Sequence, residues 1–183
     1  MSGRDGYDAV LSPCGTYRYS LTRRWAEGPP LVVCMLNPST ADASEDDPTI
    51  RRCMGFAKRD GYAGLEVVNL FAFRATDPKA MWAAQAGGVD VVGPENNDAI
   101  HRAADGASSG YVVAAWGKQP KAARRVRGVL GLLGNPYRDA GFPLPSQAIE
   151  LMAWATTHDG HPRHPLYLPG VSVLAPWAPA VST

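Results

Sequence analysis

Leu31-Val32-Val33-Cys34-Met35-Leu36-Asn37-Pro38-Ser39-Thr40 is the stretch that decides the fold. Its first six residues are apolar without a break. A strand with one wet face alternates polar and apolar; an unbroken run marks a strand buried on both faces. Such a strand belongs inside a sheet with helices packed on each side. Asn37-Pro38-Ser39-Thr40 then ends it with turn-forming residues.

Toward the C-terminus, Asp47-Pro48-Thr49 predicts a helix start, with Asp47 as cap and Pro48 at the first helical position. The helix is expected to reach about Arg59, with Ile50, Cys53, Met54 and Ala57 on one face, and Asp60-Gly61 ends it. Leu65 to Phe71 reads as a second buried strand, followed by the loop Arg74-Ala75-Thr76-Asp77-Pro78. A short helix follows Pro78, Gly87-Gly88 interrupts it, and another helix starts near Pro94. Tyr111 to Trp116 is a third strand, stopped by Gly117. Residues 120–133 carry an amphipathic stripe of Ala122, Val126, Val129 and Leu133. Ala148 to Ala155 reads as a fourth strand or a short helix.

Toward the N-terminus, Gly28-Pro29-Pro30 breaks the chain, and residues 7–25 alternate loosely around Pro13-Cys14-Gly15. That pattern suggests a hairpin or edge strand. The expected architecture is one α/β domain of three layers, α/β/α. Its central, mainly parallel sheet has four strands, with residues 1–30 as an N-terminal strand extension and 171–183 as a Pro-rich tail.

Composition narrows the classes. The chain has 183 residues, 45% of them hydrophobic and 19% charged, which suits one folded domain and argues against intrinsic disorder. A net charge of +1 excludes a histone-like polycation but leaves room for a local basic face. Three cysteines without CxxC spacing argue against a disulfide framework or zinc ribbon; buried free thiols in a reducing cytoplasm are expected. The N-terminus, MSGRDGYDAV, lacks the apolar stretch of a secretory signal, and no apolar run is long enough to span a membrane. The 19 glycines and 16 prolines follow no repeat, so they belong to turns and loops, where function concentrates.

In parallel sheets, ligands bind beyond the carboxyl ends of the strands. That rule selects Asn37 to Thr40, Asn69 to Asp77, Trp116 to Lys118, and His161 to Tyr167. Asn37 offers a donor and an acceptor that can fix a water, or it bonds its own turn. Asp42, Glu45, Asp46 and Asp47 suggest a magnesium site, a general base, or acids favoured by a helix dipole; Asp42 fits capping least well. Asn69 at a strand end is a candidate base-edge reader or a satisfied strand-end amide, and Arg74 with Thr76 could bind phosphate. Gly117 permits close backbone approach. Lys118, Lys121, Arg124, Arg125 and Arg127 make the next helix basic enough to follow a DNA backbone, or simply solvated. His158, His161 and His164 match no standard zinc spacing, so no metal and no cofactor are called for; one loop histidine stabilising a developing anion is the more useful idea. Phe71 and Phe73, or Tyr17 and Tyr19, could stack on a flat ring, or pack the core.

Leu36-Asn37-Pro38-Ser39-Thr40-Ala41-Asp42, Asp46 to Cys53, Asn69 to Pro78 and His164-Pro165-Leu166-Tyr167 together resemble an uncharacterised bacterial and phage family with an LNPSTAD signature. The order of the loops is also similar to the uracil-DNA glycosylase superfamily, especially its mismatch-specific branch. Leu36-Asn37-Pro38-Ser39 resembles that branch's GINPG loop, and Asn69-Leu70 with Arg74 and Thr76 its TNL-x-x-R-x-T segment. Trp116-Gly117 and His164-Pro165 resemble its later strand end and DNA-wedging loop. Ser39 replaces the motif's final glycine, and Leu166-Tyr167 replaces Ser-Pro after His164-Pro165.

The resemblance implies hydrolysis of an N-glycosidic bond on a flipped base in DNA. Asn37 and His164 would be catalytic, and because an asparagine cannot accept a proton as a carboxylate can, hydrolysis would be slow or helped by Asp42; Pro38, Ser39, Asn69, Phe71, Arg74, Thr76, Gly117 and Tyr167 would hold the base. Lys118, Lys121, Arg124 and Arg125 would contact the DNA backbone. The alternative is a monomeric protein that binds a nucleotide or modified base without turnover. A magnesium-dependent nucleotide hydrolase ranks third, lacking a GxxxxGK[ST] loop.

Overall fold

The computed structural model describes residues 6–39, 41–42, 44–134 and 149–179. Strand β3 (Pro30–Met35) is buried at every position, as its unbroken apolar run requires. It pairs in parallel with β4 (Gly64–Asn69) on one side and with β5 (Tyr111–Ala114) on the other. Beyond β5 lies β6 (Glu150–Ala153), also parallel, and then the short antiparallel β7 (Ala175–Pro176). On the opposite flank β2 (Arg18–Arg24) pairs antiparallel with β4, and β1 (Tyr7–Leu11) pairs antiparallel with β2. The order is β1-β2-β4-β3-β5-β6-β7.

Alternation along the central strands divides the core into two apolar clusters. Leu31, Val33 and Met35 pack with Leu65, Val67 and the inner face of α1 (Pro48–Arg59), which contributes Ile50, Cys53, Phe56 and Ala57. Val32 and Cys34 point the other way, into a cluster with Met81 of α2 (Pro78–Ala86), Ile100 of α3 (Asn96–Asp105) and Val129 of α4 (Ala123–Leu132). Asp47 caps α1 by accepting from the Ile50 N–H at 2.9 Å, and Asp77 caps α2 by accepting from the Lys79 N–H at 2.9 Å. Each cap is followed by proline at the helix start, the pairing expected of Asp47-Pro48.

The α/β class is as expected, but the sheet is not. It has seven strands and is mixed, with three of its six pairings antiparallel. The N-terminal hairpin is built into the sheet because β2 extends the ladder of β4. Ala175-Pro176, in the expected tail, also pairs as an edge strand, a position that tolerates proline. The ambiguous fourth element is a strand; Ala148, its expected first residue, lies outside the described residues. Cys34 and Cys53 are buried, whereas Cys14 is exposed in the turn between β1 and β2. Among the described residues no helix is long and apolar enough to cross a membrane.

Candidate functional site

The carboxyl ends of the parallel strands open onto a cavity of about 640 Å³. Each of the four loop segments singled out by the strand-end rule reaches it. Asn37 and Ser39 come from the β3 end, Thr76 from the β4 loop, Trp116, Gly117 and Lys118 from the β5 end, and Arg163, His164 and Tyr167 from beyond β6. Backbone bonds hold the loops in register: the Leu70 N–H donates to Met35 O at 2.8 Å, Ala75 N–H to Pro38 O at 2.9 Å, and Ala115 N–H to Cys34 O at 2.8 Å. Gly117 sits at φ +74°, a left-handed conformation that costs other residues roughly 1–2 kcal/mol.

Two cavity side chains have fixed polarity. The Asn37 amide nitrogen donates to Pro38 O at 3.0 Å and to Ala75 O at 2.8 Å. Both partners are carbonyls, so the amide cannot be flipped, and Oδ1 is left as an acceptor. His164 accepts the Leu166 N–H at Nδ1 (3.4 Å), which puts the proton on Nε2 when the ring is neutral. Burial holds the His164 pKa below its ordinary value of 6.5, and Asp47 partly opposes that shift. Trp116, set edge-on against Trp177, and the 74%-exposed Tyr167 give the cavity aromatic surface at two levels.

Arg18 is the residue that sequence reasoning missed. It borders the cavity, yet only 1% of its surface is exposed. Nη1 donates to Ala41 O at 2.6 Å, Nη2 reaches Asn69 Oδ1 only at 3.5 Å, and Nε has no partner. Burial pushes its pKa down to about 10, against the pull of Asp47. Its position in the loosely alternating N-terminal hairpin gave no sign of this; burial comes from loops that fold over it. Asp47, read as a helix cap, is one, but it also lines the cavity. Thr49 and Arg163, within quoted segments but given no role there, line it too, as do Gln119 and Thr157, which no motif announced.

The acidic stretch is explained residue by residue. Asp42 Oδ1 accepts from Ser44 N–H (2.8 Å), Ser44 Oγ (2.8 Å) and Glu45 N–H (3.1 Å), which lowers its pKa. Those bonds close a turn, and Asp42 does not line the cavity. Asp46 pairs with the fully buried Arg23 at 2.7 Å, and Arg23 Nη2 also binds Asp42 O and Glu45 O. Among the described residues, no group of three or more His, Cys, Asp and Glu side chains is placed to hold a metal.

Other expected site residues lie away from the cavity lining. Asn69 is buried behind Arg18, with its Nδ2 unpartnered. Phe71 is packed edge-on against Trp82 in the core, because its backbone continues the buried run of β4. Arg74 donates to Gly15 O at 3.2 Å, and Pro38 serves through its carbonyl. Lys121 and Arg124 are exposed on the basic segment. Arg125 is turned inward instead, with Nε on Leu70 O and Nη1 on Asn97 Oδ1, each at 2.6 Å. The Lys118 ammonium is paired with Asp159.

The chain is thus an α/β protein whose mixed sheet opens onto a cavity at the carboxyl ends of its parallel strands, the position where open α/β sheets bind ligands. The chain belongs to the family described as a protein of unknown function, DUF1643, whose model matches residues 18–166. That span holds every quoted motif except the final Tyr167. No curated protein and no solved structure matches the chain.

Proposed function

We propose that the strand-end cavity binds a nucleobase, and that the protein is a nucleotide- or modified-base-binding protein. Asn37 and His164, which both line the cavity, carry this reading. An acceptor at Oδ1 and a donor at Nε2 that cannot exchange roles suit a heterocycle edge presenting an N–H beside a carbonyl. Met35, Leu36 and Trp116 add apolar lining, and the 640 Å³ volume falls in the range of small-ligand sites, roughly 300–1,000 Å³. Titration calorimetry with nucleosides and free bases tests the reading. Asn37→Ala and His164→Ala are each expected to weaken binding by about tenfold, the worth of one buried hydrogen bond. Unchanged affinity in both variants sinks it.

One observation favours a second reading, hydrolysis of the N-glycosidic bond as in the glycosylases that the loops resemble. A carboxylate, Asp47, lines the same cavity as Asn37 and His164. Here Asn37 would position water, Asp47 rather than Asp42 would take its proton, and the C1′–N bond would break as His164 hydrogen-bonds the departing base. Oligonucleotides carrying uracil, mismatched or modified bases would then acquire abasic sites. Asp47→Asn should lower that rate by about 10²–10⁴-fold. Intact oligonucleotides leave base binding alone.

A further inference from the structure

We infer that Arg18 forms the floor of an anion subsite, and that the cavity's ligand is a free nucleotide whose terminal phosphate reaches it. The inference rests on the base-binding reading above. Arg18 is 1% exposed and borders the cavity, so it lies at its base and not at its rim. Among the described residues no carboxylate lies within 4 Å of its guanidinium, which makes one close hydrogen bond, to Ala41 O. A buried cation left in that state is costly, and a bound anion offsets the cost.

The surroundings agree in sign. Arg18 and Arg163 line the cavity against one carboxylate, Asp47; Lys118 lines it too, with its charge already met by Asp159. Thr49, in the first turn of the twelve-residue α1, lines it as well and brings a hydroxyl that can donate to an anion. Depth sets the kind of anion. A phosphodiester continues in two directions, so it suits the exposed Lys118 and Arg163. A group that reaches a floor residue is the end of its ligand, which a terminal phosphate can be and a bridging one cannot.

Calorimetry with a nucleoside, its 5′-monophosphate, a dinucleoside phosphodiester and inorganic phosphate tests this. The monophosphate should bind about 10–100-fold more tightly than the nucleoside, the diester should not share that gain, and Arg18→Gln should erase it while nucleoside affinity stays. Arg18→Gln should also lose the thermal shift that phosphate gives wild type. If Arg18→Gln does not fold, Arg18→Lys keeps the charge with shorter reach and should show a reduced preference. Equal affinity for nucleoside and monophosphate overturns the inference and spares base binding, as does a phosphate gain that survives Arg18→Gln. A diester that binds as tightly as the monoester overturns the terminal phosphate. Arg18-dependent phosphate binding without nucleoside binding upholds the anion subsite and overturns the base reading; no binding of any probe overturns both.

Discussion

Cys14, Cys34 and Cys53 occupy three different settings. Hydrogen bonds with Ser12 and Thr16 pull the exposed Cys14 thiol down to about 7, while burial pushes Cys34 up to about 12 and Cys53 further. A thiol reagent at pH 7.5 should therefore titrate one cysteine in the folded protein and all three in denaturant. The sequence led to buried free thiols, which Cys34 and Cys53 are; Cys14 departs from that because its exposure depends on where the hairpin turn points. His164 gives a pH test. Its folded pKa lies below 6.5, so an unfolded chain binds the extra proton first as pH falls. This residue's share of stability is intact above 6.5 and declines as pH drops toward the folded value. Resolved ring resonances should place the His164 midpoint below 6.5, and His164→Gln should flatten that part of the stability profile. A midpoint at or above 6.5 contradicts the buried neutral ring.

At the scale of elements, the loop from Ala41 to Asp47 is held by strand β2. Arg18 grips its start through Ala41 O, and Arg23 grips its middle through Asp42 O, Glu45 O and Asp46. The loop then delivers Asp47 to both the helix cap and the cavity. Arg23→Ala leaves Asp46 without its charged partner and several carbonyls without their donor, and should destabilise the protein by about 3–5 kcal/mol in urea unfolding. Asp47→Ala should cost about 1 kcal/mol as a lost cap. The cap was legible because Asp-Pro is a local signal. The clamp was not, since Arg23 and Asp46 meet across 23 positions of chain.

For the whole molecule, the central pair β3 and β4 is sealed by a cluster on each face, whereas β1 and β7 close the sheet's edges. Their amides should differ accordingly. In hydrogen exchange, Val33 and Val67 should open only with global unfolding, and Val10 should exchange through local fraying. Leu31→Ala, at a fully buried position, should cost about 2–5 kcal/mol. Comparable protection of edge and centre would contradict this layout.

The sequence by itself determined the elements whose causes are local. An unbroken apolar run made β3, Asp-Pro pairs started two helices, and strand-end loops rich in Asn, Gly and Pro marked where a cavity would open. Periodicity and capping act within a few residues, so they can be read without a fold. Only the tertiary structure decided that the hairpin joins the sheet, that Phe71 and Arg125 turn inward, and that Arg18 lies beneath the cavity. Those outcomes depend on which distant segments cover a side chain. Burial of that kind is a property of the assembled layers, and no local pattern encodes it.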